Sequence, residues 1–159
     1  MSGPLRILVG LLLAFAAVAL GACGGGDDDR KAKNAYVAEV NTAQNEFAAT
    51  VTSVSERITN KSSSSQDRKT LQQFQAAIAA VVTNLRGIDV PNGVQSEHEQ
   101  LVGAMSGFGT EIEKATLALR NPDSRRIAEA QRTIQSATQM VNLRIDAAIA
   151  AINSKLGQK

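Results

Sequence analysis

Residues 71–108 read LQQFQAAIAAVVTNLRGIDVPNGVQSEHEQLVGAMSGF, and the fold turns on this stretch. Leu71, Phe74, Ile78, Val81 and Leu85 recur at three and four residues. That period puts them on one face of a helix, predicted over 66–86. Gly87 is expected to stop it by taking the left-handed angle, with Ile88 folding back on Val82. The run from Asp89 to Gly93, with Pro91 and Asn92-Gly93, reads as a turn. A second stripe follows through Val94, His98, Leu101, Met105 and Phe108, and runs on through Ile112, Ala115 and Leu119. Its helix is expected to begin at Val94 or Ser96, since Ser96 and Glu99 have the spacing of a capping box. Two amphipathic helices joined by so short a turn pack antiparallel.

The same pattern extends outward in both directions. Val37, Val40, Gln44, Phe47, Val51, Val54 and Ile58 predict a helix over 30–60, with no Pro or Gly to interrupt it. The serine run at 61–65 reads as a loop, and Ser64 or Ser65 is placed to cap the next helix. Asn121-Pro122-Asp123 divides the third helix from a fourth, predicted over 124–156. There Ile127, Ala130, Ile134, Ala137 and Val141 keep register. Arg144 then falls where an apolar residue is due, and the stripe moves to Ile145, Ile149, Ile152 and Leu156, a stutter in a coiled-coil pattern. The expectation is an all-α, up-down-up-down antiparallel four-helix bundle over 30–159. The alternative is a three-helix bundle with the first or fourth helix free.

Composition limits what such a bundle does. The chain carries 17 basic and 15 acidic residues. This balance supplies no broad positive field for nucleic acid. There is one His, one Cys, one Tyr and no Trp. Zinc needs three or four ligands, which His98 alone does not give. No phosphate loop and no oriented nucleophile is recognisable. The paired Glu and Glu-x-x-His pattern of di-iron bundles is also missing around Glu111, Glu113 and Asp146. The reading is therefore of a non-enzyme without metal or other cofactor.

The N-terminus says where the protein works. Residues 1–22 hold one Arg, an apolar run from Ile7 to Leu20 and then small residues, which is how a secretory leader reads. The run is shorter than the roughly 20 residues of a membrane span. Leu20-Gly21-Ala22-Cys23 resembles the lipobox of bacterial lipoproteins. That resemblance implies a diacylglyceryl group on the Cys23 thiol, cleavage before Cys23, and acylation with fatty acids such as palmitate. It places the chain on the extracytoplasmic face of the cell membrane. The Ala- and Gly-rich style is similar to that of small helical lipoproteins of high-GC Gram-positive bacteria, whose role is unknown. Residues 23–29 read as the lipidated Cys and a Gly/Asp tether, reaching on the order of 14 Å as a random coil. Arg30, Lys31 and Lys33 sit where they would meet anionic lipid, with Asp27–Asp29 opposing them.

Candidate sites are few. His98 lies on an apolar seam between Glu97 and Glu99 and is a candidate pH-sensitive group. Gly103, Gly107 and Gly109 interrupt one helix at a cost of roughly 3 kcal/mol relative to alanine. They are expected off the core seam, with Gly103 and Gly107 as a close-approach face for a partner. Met105 and Met140 read as core filler. Phe47, Phe74 and Phe108 read as central packing or as walls of an apolar pocket. Lys61, Arg68, Lys69, Arg120, Arg125 and Arg126, with Arg57, are expected to gather at the end far from the anchor. The function this supports is a lipid-anchored bundle that binds an envelope protein or an anionic wall polymer. The alternative is a carrier of an apolar small molecule in the bundle core.

Overall fold

The computed structural model describes residues 27–57, 62–121 and 123–157. The expected leader, Cys23 and Lys61 lie outside the described residues. Four helices follow in order: α1 (Asp27–Arg57), α2 (Ser64–Arg86), α3 (Gln95–Ala118) and α4 (Ser124–Leu156). Consecutive helices pack on one another, most extensively α3 on α4. Among the described residues there is no strand. The chain is an all-α four-helix bundle. The start of α1, the end of α2, the start of α3 and the end of α4 share one end of it. Tyr36, Leu85 and His98 meet there, and Lys155 reaches Glu97.

The helix ends show what the local sequence dictates. α1 starts at Asp27, three residues before the expected position, so the aspartates form its first turn rather than spacer. Asp27 pairs with Arg30 at 2.7 Å and Asp29 with Lys33 at 2.8 Å, one turn apart. Their negative charge also suits the N-terminal end of the helix dipole. The cap of α2 is Ser63, not Ser64 or Ser65. Its Oγ accepts from the Gln66 amide at 3.3 Å, and Gln66 Oε1 accepts from the Ser63 amide at 2.8 Å. Gln66 is the residue that decides this, because a capping box needs Gln or Glu three positions on.

Two expectations about the α2–α3 connection fail. Gly87 is right-handed at φ −84°, and its N–H donates to the Thr83 and Asn84 carbonyls. The left-handed residue is Gly93 at φ 96°, where a Cβ would be strained. The Ser96–Glu99 capping box does not form, because α3 has already begun at Gln95 with Val94 at its cap position. Gln95 reaches back instead. Its Oε1 accepts from the Gly93 amide at 2.9 Å and its Nε2 donates to Asn92 Oδ1 at 3.3 Å. Asp123 caps α4 by accepting from the Arg126 amide at 2.8 Å, and Gly157 closes it at φ 75°.

The core is one apolar cluster drawn from all four helices. Its middle is aromatic. Phe47 stacks on Phe74 at 6.2 Å, and Phe108 meets both edge-on, at 6.1 and 5.7 Å. Each pair adds about 0.5–1.5 kcal/mol beyond its area. These rings pack on one another as central filler. On α4 the buried series runs Ile134, Ala137, Val141, Ile145, Ala148 and Ile152. Two successive steps of four residues, at 137–141–145, are the stutter, and they leave Arg144 exposed beside the core.

Candidate functional site

His98 is buried, at 5% exposure. Its Nε2 lies 2.9 Å from the Leu85 carbonyl and its Nδ1 lies 3.1 Å from the Tyr36 hydroxyl. A carbonyl oxygen only accepts, so Nε2 carries the proton and Nδ1 accepts from Tyr36. The ring therefore joins three helices, and both of its nitrogens are engaged. Burial, followed by the negative charge of Glu97, pushes the Tyr36 hydroxyl up to about 12. Glu97 itself is held below the usual carboxylate range. Its 2.8 Å bond to Lys155 is the main cause, and burial opposes it. Its other oxygen, Oε2, is buried with no hydrogen-bond partner. Among the described residues no group of His, Cys, Asp and Glu is placed to hold a metal ion. This cluster ties α1, α2 and α3 together at one end of the bundle, and Lys155 brings in α4.

Of the cations expected at the far end, Lys61 lies outside the described residues and the others lie at helix ends. Arg57 at the end of α1, Arg68 and Lys69 near the start of α2, Arg120 after α3, and Arg125 and Arg126 at the start of α4 share the end opposite His98. Arg57 donates to Gln73 Oε1 at 2.6 Å, and Arg126 lies 3.7 Å from Asp123. The cations on α2 and α4 stand at helix N-termini, where the dipole opposes positive charge.

The three glycines of α3 divide. A Cβ on Gly109 would meet Ile78 Cγ2 at 3.2 Å, so Gly109 is a packing glycine against α2, not an outer one. A Cβ on Gly103 or Gly107 would meet nothing within 4 Å. Gly107 floors a groove of about 480 Å³ between α3 and α4, together with Ala104, Phe108, Ala137 and Val141. Met140 stands in this groove half exposed, at 50%, and is not core filler. Leu143, on the same outward side of α4, is 68% exposed. Both positions lie off the buried series 137, 141, 145 and 148, so they point outward in either register of the stripe.

Arg132 and Arg144 border the groove on either side of Met140. Neither makes an ion pair or hydrogen bond among the described residues. Glu111, the one acid in the lining, is taken by Lys114 at 2.6 Å. The groove therefore has an apolar floor and an uncompensated positive border. The sequence singles out Gly107 as a candidate partner face, Met140 only as core filler and Arg144 only as a break in the stripe, and gives no role to Leu143 or Arg132. The misplaced Arg144 was the signal available, because a cation at a seam position means that the seam has moved. A second groove of about 410 Å³ lies between α1 and α2, bordered by Glu39 and Glu46. Comparison with protein-family models, with curated proteins and with solved structures finds no match.

Proposed function

We propose that this chain is a lipoprotein of the extracytoplasmic face of the cell membrane, held by a diacylglyceryl group on Cys23. It acts by binding an envelope partner rather than by catalysis, and the α3–α4 groove is its docking face. The observation that carries the binding reading is the exposure of Met140 in the groove floored by Gly107, with Leu143 exposed three residues further along α4. Aliphatic side chains left in water next to an open, small-residue floor mark an interaction surface. The anchor reading is supported by the order of leader, lipobox and Cys in the sequence. Two acyl chains hold a protein at a membrane where one does not. Three residues lie between Cys23 and the start of α1, so on this reading the His98 end faces the membrane and the basic residues at the other end face away.

The test has two arms in a bacterial host that processes lipoproteins. Cys23→Ser is expected to abolish incorporation of a labelled fatty acid and release the chain from the membrane fraction. Label retained by that variant sinks the anchor reading. A photo-crosslinking residue at Met140 is expected to give an adduct, while the same residue at the exposed Gln72 of α2 gives none. Equal adducts at both positions, or none at Met140, overturn the docking face.

A further inference from the structure

We infer that this bundle opens along the side between α1 and α4, α1 moving off α4 while it keeps α2 and while α4 keeps α3. The inference does not depend on the α3–α4 docking face.

The links between helices fall on every side but this one. α1 is tied to α2 by Arg57 with Gln73, by Glu46 with Asn84 and by the stack of Phe47 on Phe74. α2 is tied to α3 by Leu85 with His98, and α3 to α4 by Glu97 with Lys155. Across the diagonal, Tyr36 reaches His98 and Phe47 meets Phe108. Among the described residues no hydrogen bond, ion pair or ring contact joins α1 to α4. Their backbones also come close at fewer places than those of consecutive helices.

Helical register shows which side chains meet there. On α1, Glu39, Ala43 and Glu46 line the groove toward α2, so Gln44 falls on the opposite flank of the stripe through Val40 and Phe47. On α4, Thr133, Ala137 and Arg144 line the groove toward α3, so Thr138 and Asn142 fall on the opposite flank of the stripe through Ile134, Val141 and Ile145. These two flanks face each other across the fourth side of the bundle. Asn41 on α1 and Gln131 and Gln135 on α4 continue them, half-buried. The seam is therefore lined by amides and a hydroxyl. Gln44 Nε2, Thr138 Oγ1 and Asn142 Oδ1 are buried in it without a hydrogen-bond partner. Gln44 is 9% exposed and Thr138 8%.

Closing this side takes a donor, a hydroxyl and an acceptor out of water and returns no hydrogen bond. That penalty falls on the closed form alone, and wetting the seam removes it. Local opening follows the weakest contact and precedes global unfolding. It uncovers Val37 and Val51 on α1 and Ile145 on α4, which are buried in the closed form.

Thiol labelling of the full chain tests this, read on the peptide that carries the added cysteine so that Cys23 does not contribute. Thr138→Cys reports the α1–α4 side. Thr116→Cys is the matched control, because Thr116 is buried at 5% and lies two helical turns on from Gly109, on the face of α3 toward α2. Without denaturant, T138C is expected to label about ten-fold faster than T116C or more, at a rate that hardly changes in low urea, as local opening requires. Q44L/N142L replaces two orphaned groups by apolar ones of similar size. It is expected to raise the urea midpoint and to slow T138C labelling about ten-fold. T138C labelling no faster than T116C overturns the inference. A T138C rate that climbs with urea in step with T116C assigns the exposure to global unfolding and overturns it as well. So does a lower midpoint in Q44L/N142L, because Gln44 and Asn142 would then have partners in a closed seam.

Discussion

Tyr36 and His98 are 62 positions apart in sequence and 3.1 Å apart at Oη and Nδ1. Their rings meet edge-on at 5.6 Å. Leu85, at the end of α2, completes the link through its carbonyl. Tyr36→Phe removes one neutral hydrogen bond and is expected to cost about 1 kcal/mol. His98→Ala orphans both partners and leaves a cavity, so it is expected to cost about 2–4 kcal/mol. Urea denaturation checks both. Nitrogen NMR of the imidazole is expected to show the Nε2–H tautomer. A Tyr36→Phe loss equal to that of His98→Ala would contradict the joint.

The chain has one tyrosine and no tryptophan, so tyrosinate absorbance reports Tyr36 alone. Its hydroxyl is raised from 10.0 to about 12, first by burial and then by Glu97. The folded state therefore holds its proton where the unfolded chain has lost it. This contribution to stability is fully present below pH 10 and is lost as pH rises from about 10 to 12. The native titration midpoint is expected near 12, and in urea near 10. A native midpoint at the ordinary value means that water reaches Tyr36.

Lys155 ties the end of α4 to Glu97 at the start of α3. The Glu97 carboxyl is lowered mainly by that bond. A carboxylate with a depressed folded value stabilises the fold above its unfolded value of 4.5, and the effect is lost as pH falls through the folded value. Lys155→Met removes the partner while burial continues to favour the neutral form. The Glu97 titration, followed by carbon NMR, is expected to rise above its unfolded value. The variant is expected to lose stability at neutral pH and little at acid pH. A Glu97 that still titrates low would assign the effect to the α3 backbone.

The seams were legible because a core face obeys one period, and Phe47, Phe74 and Phe108 landed where three-and-four spacing put them. Cap positions were not legible: Ser64 or Ser65 was expected at the start of α2, where Ser63 is the cap, and a full box spacing at Ser96 was expected to close. Ser63 with Gln66 formed a box, while Ser96 with Glu99 did not, because Gln95 had already satisfied the turn. The periodicity of α3 gave no means of telling Gly107 from Gly109. Both are glycine in one helix, and only the position of Ile78 on α2 makes one of them packed. Met140 was misassigned for a related reason. Its hydrophobic side chain suggested core, but position 140 lies off the buried series 137, 141 and 145, which is what leaves it half exposed.

The basic tip gives a prediction of opposite signs. Arg125 sits in the first turn of α4, which holds no acid inside the helix. Positive charge there opposes the helix dipole. Arg125→Glu is expected to raise stability by about 0.5–1 kcal/mol. If the tip meets an anionic wall polymer, the same change weakens retention on purified wall material and flattens its salt dependence. A denaturation midpoint together with a binding isotherm at two salt concentrations checks both halves. Retention unchanged by the reversal would leave these cations as solvated helix ends.

The glycines of α3 give the sharpest comparison, because three identical substitutions in one helix are expected to differ. Glycine in a helix interior costs roughly 1 kcal/mol relative to alanine. At Gly103 and Gly107 an added Cβ meets open space, so Gly103→Ala and Gly107→Ala are each expected to stabilise by about 0.5–1 kcal/mol. At Gly109 the Cβ meets Ile78 Cγ2 at 3.2 Å. Ile78 is buried at 1% exposure and has little room to yield, so the propensity gain is expected to be cancelled or reversed. Thermal or urea unfolding of the three variants ranks them. Equal gains at all three positions would mean that α2 and α3 do not approach closely at Ile78. If the gains at 103 and 107 appear and Gly107→Leu also abolishes the Met140 adduct, the glycines hold open a surface at the expense of stability. If Gly107→Leu leaves the adduct intact, the groove floor has no part in docking.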